Sequence, residues 1–121
     1  MDSNIYVENI LDHYHNPRNF GKPEKFDIYR NEFNPLCGDK ISVFIKLNKN
    51  IIEDIKFTGN GCAISQAAAS ILTEHIKGKD IEEIKQYGEH QIMELLGIKI
   101  SHLRLKCALL SIKTIQNALN Q

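Results

Sequence analysis

Three cysteines and one aspartate are the residues of this chain whose types could do chemistry together: Cys37, Asp39, Cys62 and Cys107. Thiolates are nucleophiles toward sulfur and soft ligands for zinc or iron. The spacing C-x24-C-x44-C contains no close C-x-x-C pair of the kind found in a zinc knuckle. Any shared site therefore has to be assembled by folding. Asp39 stands two residues after Cys37 with Gly38 between them, which leaves room for both to point at one centre. Three thiolates and a carboxylate make a four-ligand set suited to zinc or to an iron–sulfur cluster. The carboxylate would be its weakest member, which suits a site that must release what it holds. An odd count of three cysteines argues against a disulfide framework.

The elements that must position these residues follow from periodicity. Ile41, Val43, Ile45 and Leu47 alternate with Ser42, Phe44, Lys46 and Asn48, which predicts a half-buried strand. Asn48-Lys49-Asn50 turns the chain into a second run, Ile51–Thr58, and so short a connection makes the pair an antiparallel hairpin. Phe26–Arg30 alternates weakly and is expected as an edge strand. Gly59-Asn60-Gly61 then hands the sheet over to a helix beginning at Cys62. Two glycines there permit backbone angles that a side chain would forbid, and a helix start favours negative charge. The alternative for Cys62 is a small residue packed under a turn.

Tyr6–Tyr14 places Val7, Ile10, Leu11 and Tyr14 at helical spacing. That helix ends before Asn16-Pro17, because a residue preceding proline avoids helical angles. A breaker-rich loop follows as far as Pro23. The helix after Cys62 is expected to stop near Lys77-Gly78, with Ala67, Ala68 and Ala69 letting it approach the sheet closely. Asp80-Ile81-Glu82-Glu83 has the spacing of a capping box, and another helix spans about Glu89–Leu96 before Gly97. Leu105, Ala108, Leu109, Ile112, Ile115 and Leu119 form the apolar stripe of a long last helix. The expected fold is α+β: a three-stranded, mostly antiparallel sheet packed by an N-terminal helix and several C-terminal ones.

With 121 residues, 42% of them hydrophobic, the expectation is a single domain over residues 1–121. Fifteen basic and fifteen acidic residues cancel, so neither nucleic acid nor a membrane is expected as a partner. The polar opening Met1-Asp2-Ser3-Asn4 is not a basic-then-apolar leader, and the chain is expected to be cytoplasmic.

Three stretches carry a resemblance beyond these patterns. Asn34-Pro35-Leu36-Cys37-Gly38-Asp39, Gly59-Asn60-Gly61-Cys62-Ala63-Ile64-Ser65 and Lys106-Cys107-Ala108 resemble, in order, the three cysteine motifs of the IscU/SufU/NifU-type iron–sulfur cluster assembly scaffolds. Ile10–Asn19 is similar to that family's opening helix and loop. The resemblance covers essentially the whole chain and implies Cys37, Asp39, Cys62 and Cys107 as ligands. Cys37 and Cys107 become candidate sulfur acceptors. The implied function is a scaffold, more a carrier than an enzyme. It takes sulfur from a cysteine desulfurase and iron from a donor, assembles a [2Fe–2S] cluster, and hands it to acceptor apo-proteins. The other branch of the family implies a zinc-dependent sulfurtransferase that relays persulfide. A binding module with purely structural zinc is a third reading, and the aspartate argues against it. The chain is expected as a monomer or weak dimer.

Two departures from the family pattern bear on the branch. Histidine is usual in IscU proteins where Lys106 stands, and lysine is more similar to SufU; yet the chain lacks the SufU insertion between the second and third cysteines. Ile100-Ser101-His102-Leu103-Arg104 is not a Leu-Pro-Pro-Val-Lys chaperone motif, which argues against dependence on a dedicated Hsp70. Lys106 is either a solvated helix-start lysine or a charge that stabilises the neighbouring thiolate or persulfide. His102 is read as exposed or capping. His13, His15, His75 and His90 share no metal-ligand spacing and are read as surface or structural.

Overall fold

The computed structural model describes residues 3–35, 38–97 and 99–121. Helix α1 (Ser3–His15) leads into three strands, β1 (Ile28–Asn34), β2 (Asp39–Asn48) and β3 (Ile51–Asn60). Four helices follow: α2 (Ala63–Ile76), α3 (Ile81–Lys85), α4 (Glu89–Leu96) and α5 (His102–Leu119). The strands pair antiparallel in the order β1-β2-β3, so the fold is α+β, as the strand-then-helix order predicts. No helix among the described residues is long and apolar enough to cross a membrane.

The period-2 pattern of β2 sends Ile41, Val43 and Ile45 to the helical side, where they meet Ile52, Ile55 and Phe57 of β3. Helices α2 and α5 cover that face. Ala67, Ala68 and Ala69 are fully buried, as expected of small residues in a helix pressed against a sheet. The stripe of α5 packs Ala108, Ile112, Ile115 and Leu119 into the same core. Phe44 points to the opposite face yet is buried, because Phe26 and Tyr29 close over it at centroid distances of 5.2 and 5.1 Å.

Two elements differ from the expectation. β1 lies at Ile28–Asn34, shifted from the predicted 26–30, and its ladder with β2 continues to the pair Asn34↔Asp39. After Ile28, which packs against the core, its helix-facing residues Arg30, Glu32 and Asn34 are polar, so no sustained apolar alternation marks it: Glu32 accepts from Asn117 Nδ2 at 2.7 Å, and Arg30 reaches Gln121 Oε1 at 3.5 Å. In α1 the predicted stripe buries only Ile10, whereas Val7, Leu11 and Tyr14 stay exposed. The helix is held to α2 through Ile10 and through His13, whose Nδ1 lies 2.7 Å from Ser70 Oγ. The same Ser70 oxygen accepts the Arg18 N–H at 2.8 Å and ties down the following loop.

The helix ends follow their sequence signals. The Asp80 carboxylate accepts from Glu82 N at 2.8 Å at the start of α3. Gly97 ends α4 in the left-handed conformation, with the Tyr6 ring where a Cβ would project.

Candidate metal and sulfur site

Asp39 is the first residue of β2, and the ladder fixes it. Its partner Asn34 closes the β1–β2 connection, where Gly38 turns at φ +73° and donates its N–H to the Asn34 carbonyl at 2.9 Å. Such a left-handed turn favours glycine. The Asp39 side chain is 1% exposed and reaches toward the start of α2. A buried carboxylate is retained where hydrogen bonds replace its water, and the Cys62 backbone supplies one: Cys62 N donates to Asp39 Oδ1 at 2.9 Å. The Cys62 thiol donates to Oδ2 of the same carboxylate at 3.6 Å.

Cys62 is the N-cap of α2, in extended conformation and with no capping bond from its side chain. Its sulfur is thereby left for other partners. Two polar side chains from the first turns of α2 bind the chain around it. Ser65 Oγ donates to the Cys62 carbonyl at 3.1 Å. Gln66, with its amide oxygen facing the turn, accepts from the N–H groups of Asn60 and Gly61 at 3.2 Å each.

The turn glycines act otherwise than expected. Neither Gly59 nor Gly61 adopts a positive φ. Gly61 is needed for space instead: a Cβ there would run into the Asp39 carboxylate and come within 2.9 Å of Ser65 Oγ. The absent side chain lets Asp39 lie against the cysteine turn.

Cys107 completes the group from the second turn of α5, a turn deeper than a helix-start position, and is 2% exposed. The ligand-type atoms of Asp39, Cys62 and Cys107 all lie within 4.8 Å of one another. Around a tetrahedral ion holding sulfur at about 2.3 Å, neighbouring ligand sulfurs stand ~3.8 Å apart. The three donors therefore need to close by only about 1 Å to fit such an ion. Two thiols and one carboxylate, gathered in a mostly buried cluster, are a donor set for zinc or for iron bound with sulfide.

Cys37, the fourth expected ligand and one of the two candidate sulfur acceptors, lies outside the described residues. So does the side chain of His102, although Ser101 caps α5 by accepting from Arg104 N at 3.3 Å. Lys106 is exposed, on the helix face next to that of the buried Cys107. The other histidines stand apart from the site: His75 meets Tyr87 Oη at 3.1 Å, and His90 pairs with Glu94. Ser65, Gln66 and the steric part played by Gly61 were not foreseen from the sequence. The one signal for Gln66 is its spacing of four from Cys62, which returns it to the same helix face.

Comparison with known proteins agrees with this geometry. Residues 5–121 match the family model described as the NifU-like N terminal domain. The chain is 40% identical to the zinc-dependent sulfurtransferase SufU of Bacillus subtilis, over 93% of this chain and 87% of that one. It is 38% identical to the iron–sulfur cluster assembly scaffold protein IscU 1 of Archaeoglobus fulgidus, over 95% of this chain and 74% of that one. A crystal structure from Fervidobacterium islandicum AW-1, named for the SUF system of iron–sulfur cluster assembly, superposes with a TM-score of 0.83 at 30% identity. It covers 98% of this chain and 99% of that one. The fold and the match over nearly the whole length agree: this chain belongs to the family of NifU-like N-terminal domains.

Proposed function

We propose that this chain is an iron–sulfur cluster assembly scaffold, which accepts sulfur from a cysteine desulfurase, combines it with iron as a [2Fe–2S] cluster and passes the cluster to acceptor proteins. The observation that carries the reading is the convergence of Asp39, Cys62 and Cys107 within 4.8 Å from three separate elements. Cys37, from the same loop as Gly38, is the fourth ligand in this reading.

Sulfur acceptance needs only thiolate chemistry. A cysteine thiolate attacks the terminal sulfur of the desulfurase persulfide, and the desulfurase cysteine leaves as thiolate. One S–S bond forms and one breaks, with no net oxidation or reduction. Asp39 Oδ2 is placed to take the Cys62 thiol proton as sulfur or metal arrives, since the thiol already donates to it at 3.6 Å. Cys107 is too buried to meet a partner's sulfur directly, so sulfur reaches it through Cys37 or Cys62. Lys106 adds positive charge next to Cys107, where thiolate and persulfide carry negative charge. Sulfane sulfur becomes cluster sulfide only on taking up two electrons, which an external electron donor must supply. The iron and sulfide are then cargo, and the oxygen ligand among sulfurs makes Asp39 the point of release.

A second reading is favoured by Lys106, which stands where IscU proteins carry histidine: a zinc-dependent sulfurtransferase in which Cys37, Asp39, Cys62 and Cys107 hold zinc and a cysteine relays persulfide. The test mixes the chain, loaded anaerobically with iron and desulfurase-derived sulfide, with an apo-ferredoxin. The scaffold reading expects the ferredoxin to gain a [2Fe–2S] cluster as the chain loses one. Sulfur relayed by a zinc-loaded chain that never takes up iron would instead establish the second reading.

A further inference from the structure

The rest of the chain covers one edge of the sheet and leaves the other bare. Along the outer edge of β3, Phe57 donates its N–H to the Asn19 carbonyl at 2.9 Å and accepts from Gly21 N at 2.8 Å. Ile52 likewise donates to the Lys79 carbonyl at 3.0 Å and accepts from Gly78 N at 2.8 Å. β1 is the opposite edge, and among the described residues no backbone hydrogen bond reaches its outer side. Such a row of N–H and C=O groups is a template for another strand. β1 runs for seven residues without proline, and its ladder with β2 has no bulge, so neither device blunts it. Its alternation puts Arg30 and Glu32 half-buried on the helical side, and Tyr29, Asn31 and Phe33 exposed on the other. Read backwards about Asn31, the strand is its own complement: Arg30 falls opposite Glu32, and Tyr29 opposite Phe33.

We propose that this edge pairs with β1 of a second copy of the chain, antiparallel about a dyad at Asn31, to make one six-stranded sheet. Directly opposite side chains then stand about 4.5–5.5 Å apart, within reach of ionic and aromatic pairing alike. Arg30 Nε already lies 2.9 Å from Glu32 Oε2 within one copy. The dyad therefore gathers two arginines and two glutamates into a cluster without net charge. On the other face it sets the Tyr29 and Phe33 rings, 46% and 54% exposed in one copy, against each other. The register is selective. A slide of two residues opposes Arg30 to Arg30 or Glu32 to Glu32, and a slip of one sets charged residues against aromatic ones. Such a self-complementary patch is what a two-fold interface requires. The pairing stands on the strand itself and does not rest on the proposed function. Asn34, the ladder partner of Asp39, is three residues from the dyad, about 10 Å along the strand. The two strands run in opposite directions, so the two metal and sulfur sites stay separate, about 20 Å apart along the strands.

The test measures the mass of the full chain by sedimentation from micromolar to near-millimolar concentration. A dimer that grows with concentration is expected. Arg30→Glu opposes two carboxylates at each end of the dyad and should weaken association roughly tenfold or more. Adding Glu32→Arg to that variant restores opposite charges across the dyad and should restore the dimer. The register is read by cross-linking under glutathione disulfide, which takes up the two electrons as each disulfide forms. Asn31→Cys should cross-link to its own copy. Tyr29→Cys should cross-link to Phe33→Cys when the two are mixed, and much less to itself. Peptide mapping separates these bonds from any made by the native cysteines. Should Arg30→Glu melt early, the cross-links of Asn31→Cys, which carries no change of charge, still decide. A chain that is monomeric throughout, a folded Arg30→Glu that dimerises as before, or cross-links formed without regard to register would overturn the proposal.

Discussion

The Asp39 carboxylate has two duties, and they separate on mutation. It accepts the Cys62 N–H through Oδ1 and faces the Cys62 sulfur through Oδ2. Asp39→Ala should make a bound cluster longer-lived and slow its transfer, because the labile oxygen ligand is gone. If half-life and transfer rate stay unchanged, Asp39 is not a ligand. The same variant should destabilise the metal-free chain by about 1–3 kcal/mol, the cost of a buried N–H left without its acceptor. Asp39→Asn keeps a carbonyl oxygen for that N–H and should recover most of the stability, as urea titration would show. Gly61 makes the complementary case. Gly61→Ala needs no unusual backbone angle, yet its methyl would enter the space of the Asp39 carboxylate. A loss of about 1–3 kcal/mol is expected from such overpacking, with weaker zinc binding as Asp39 is pushed aside. Unaltered melting and zinc affinity in Gly61→Ala would show that the close approach does not matter.

At the scale of elements, the docking of α1 on α2 carries a pH dependence. Burial pushes the His13 imidazole below its ordinary value, and Arg18 lowers it further, while Glu74 and Asp12 pull the other way. The unfolded chain therefore takes up a proton at His13 before the folded chain does. Stability contributed here is complete above the unfolded value of about 6.5 and falls as pH drops below it toward the lower folded value. His75, lowered by partial burial and by Lys79, adds with the same sign. The difference between the unaltered chain and His13→Asn isolates the first: melting temperature should fall less between neutral and mildly acidic pH in the variant. Equal slopes would contradict the assignment. Much of this architecture was legible because periodicity reports burial directly. Ile41, Val43 and Ile45 on β2 and the stripe of α5 follow from it, and the stops at Gly78 and Gly97 follow from glycine's ease in the left-handed cap conformation. β1 was misplaced because Glu32 meets Asn117 of α5, and Arg30 meets Gln121 just past its end, through polar side chains, contacts that alternation cannot signal. The apolar face of α1 was visible, but a pattern does not say what covers it, and Val7, Leu11 and Tyr14 are exposed. The site itself was legible only through its resemblance to a family, since cysteines separated by 24 and 44 intervening residues announce no meeting by spacing.

For the whole molecule, the site joins the beginning of β2, the beginning of α2 and the second turn of α5, so a ligand bound there ties sheet to helices. An ion or cluster held only by the folded state stabilises it by mass action, about 2.7 kcal/mol at a hundred times the dissociation constant. Zinc at that excess should raise the melting temperature by several degrees, and Cys107→Ser should lose most of the rise. Equal melting with and without zinc would contradict a shared site. The most direct measurement of the central claim, that Asp39 and the cysteines hold a [2Fe–2S] cluster, is Mössbauer spectroscopy of the chain reconstituted anaerobically with iron, cysteine and a desulfurase. Three thiolates and one carboxylate divide unequally between two irons, so two quadrupole doublets of equal area are predicted, merging toward one in Asp39→Cys. A single doublet in the unaltered chain, or zinc that iron cannot displace and no iron spectrum at all, would contradict it.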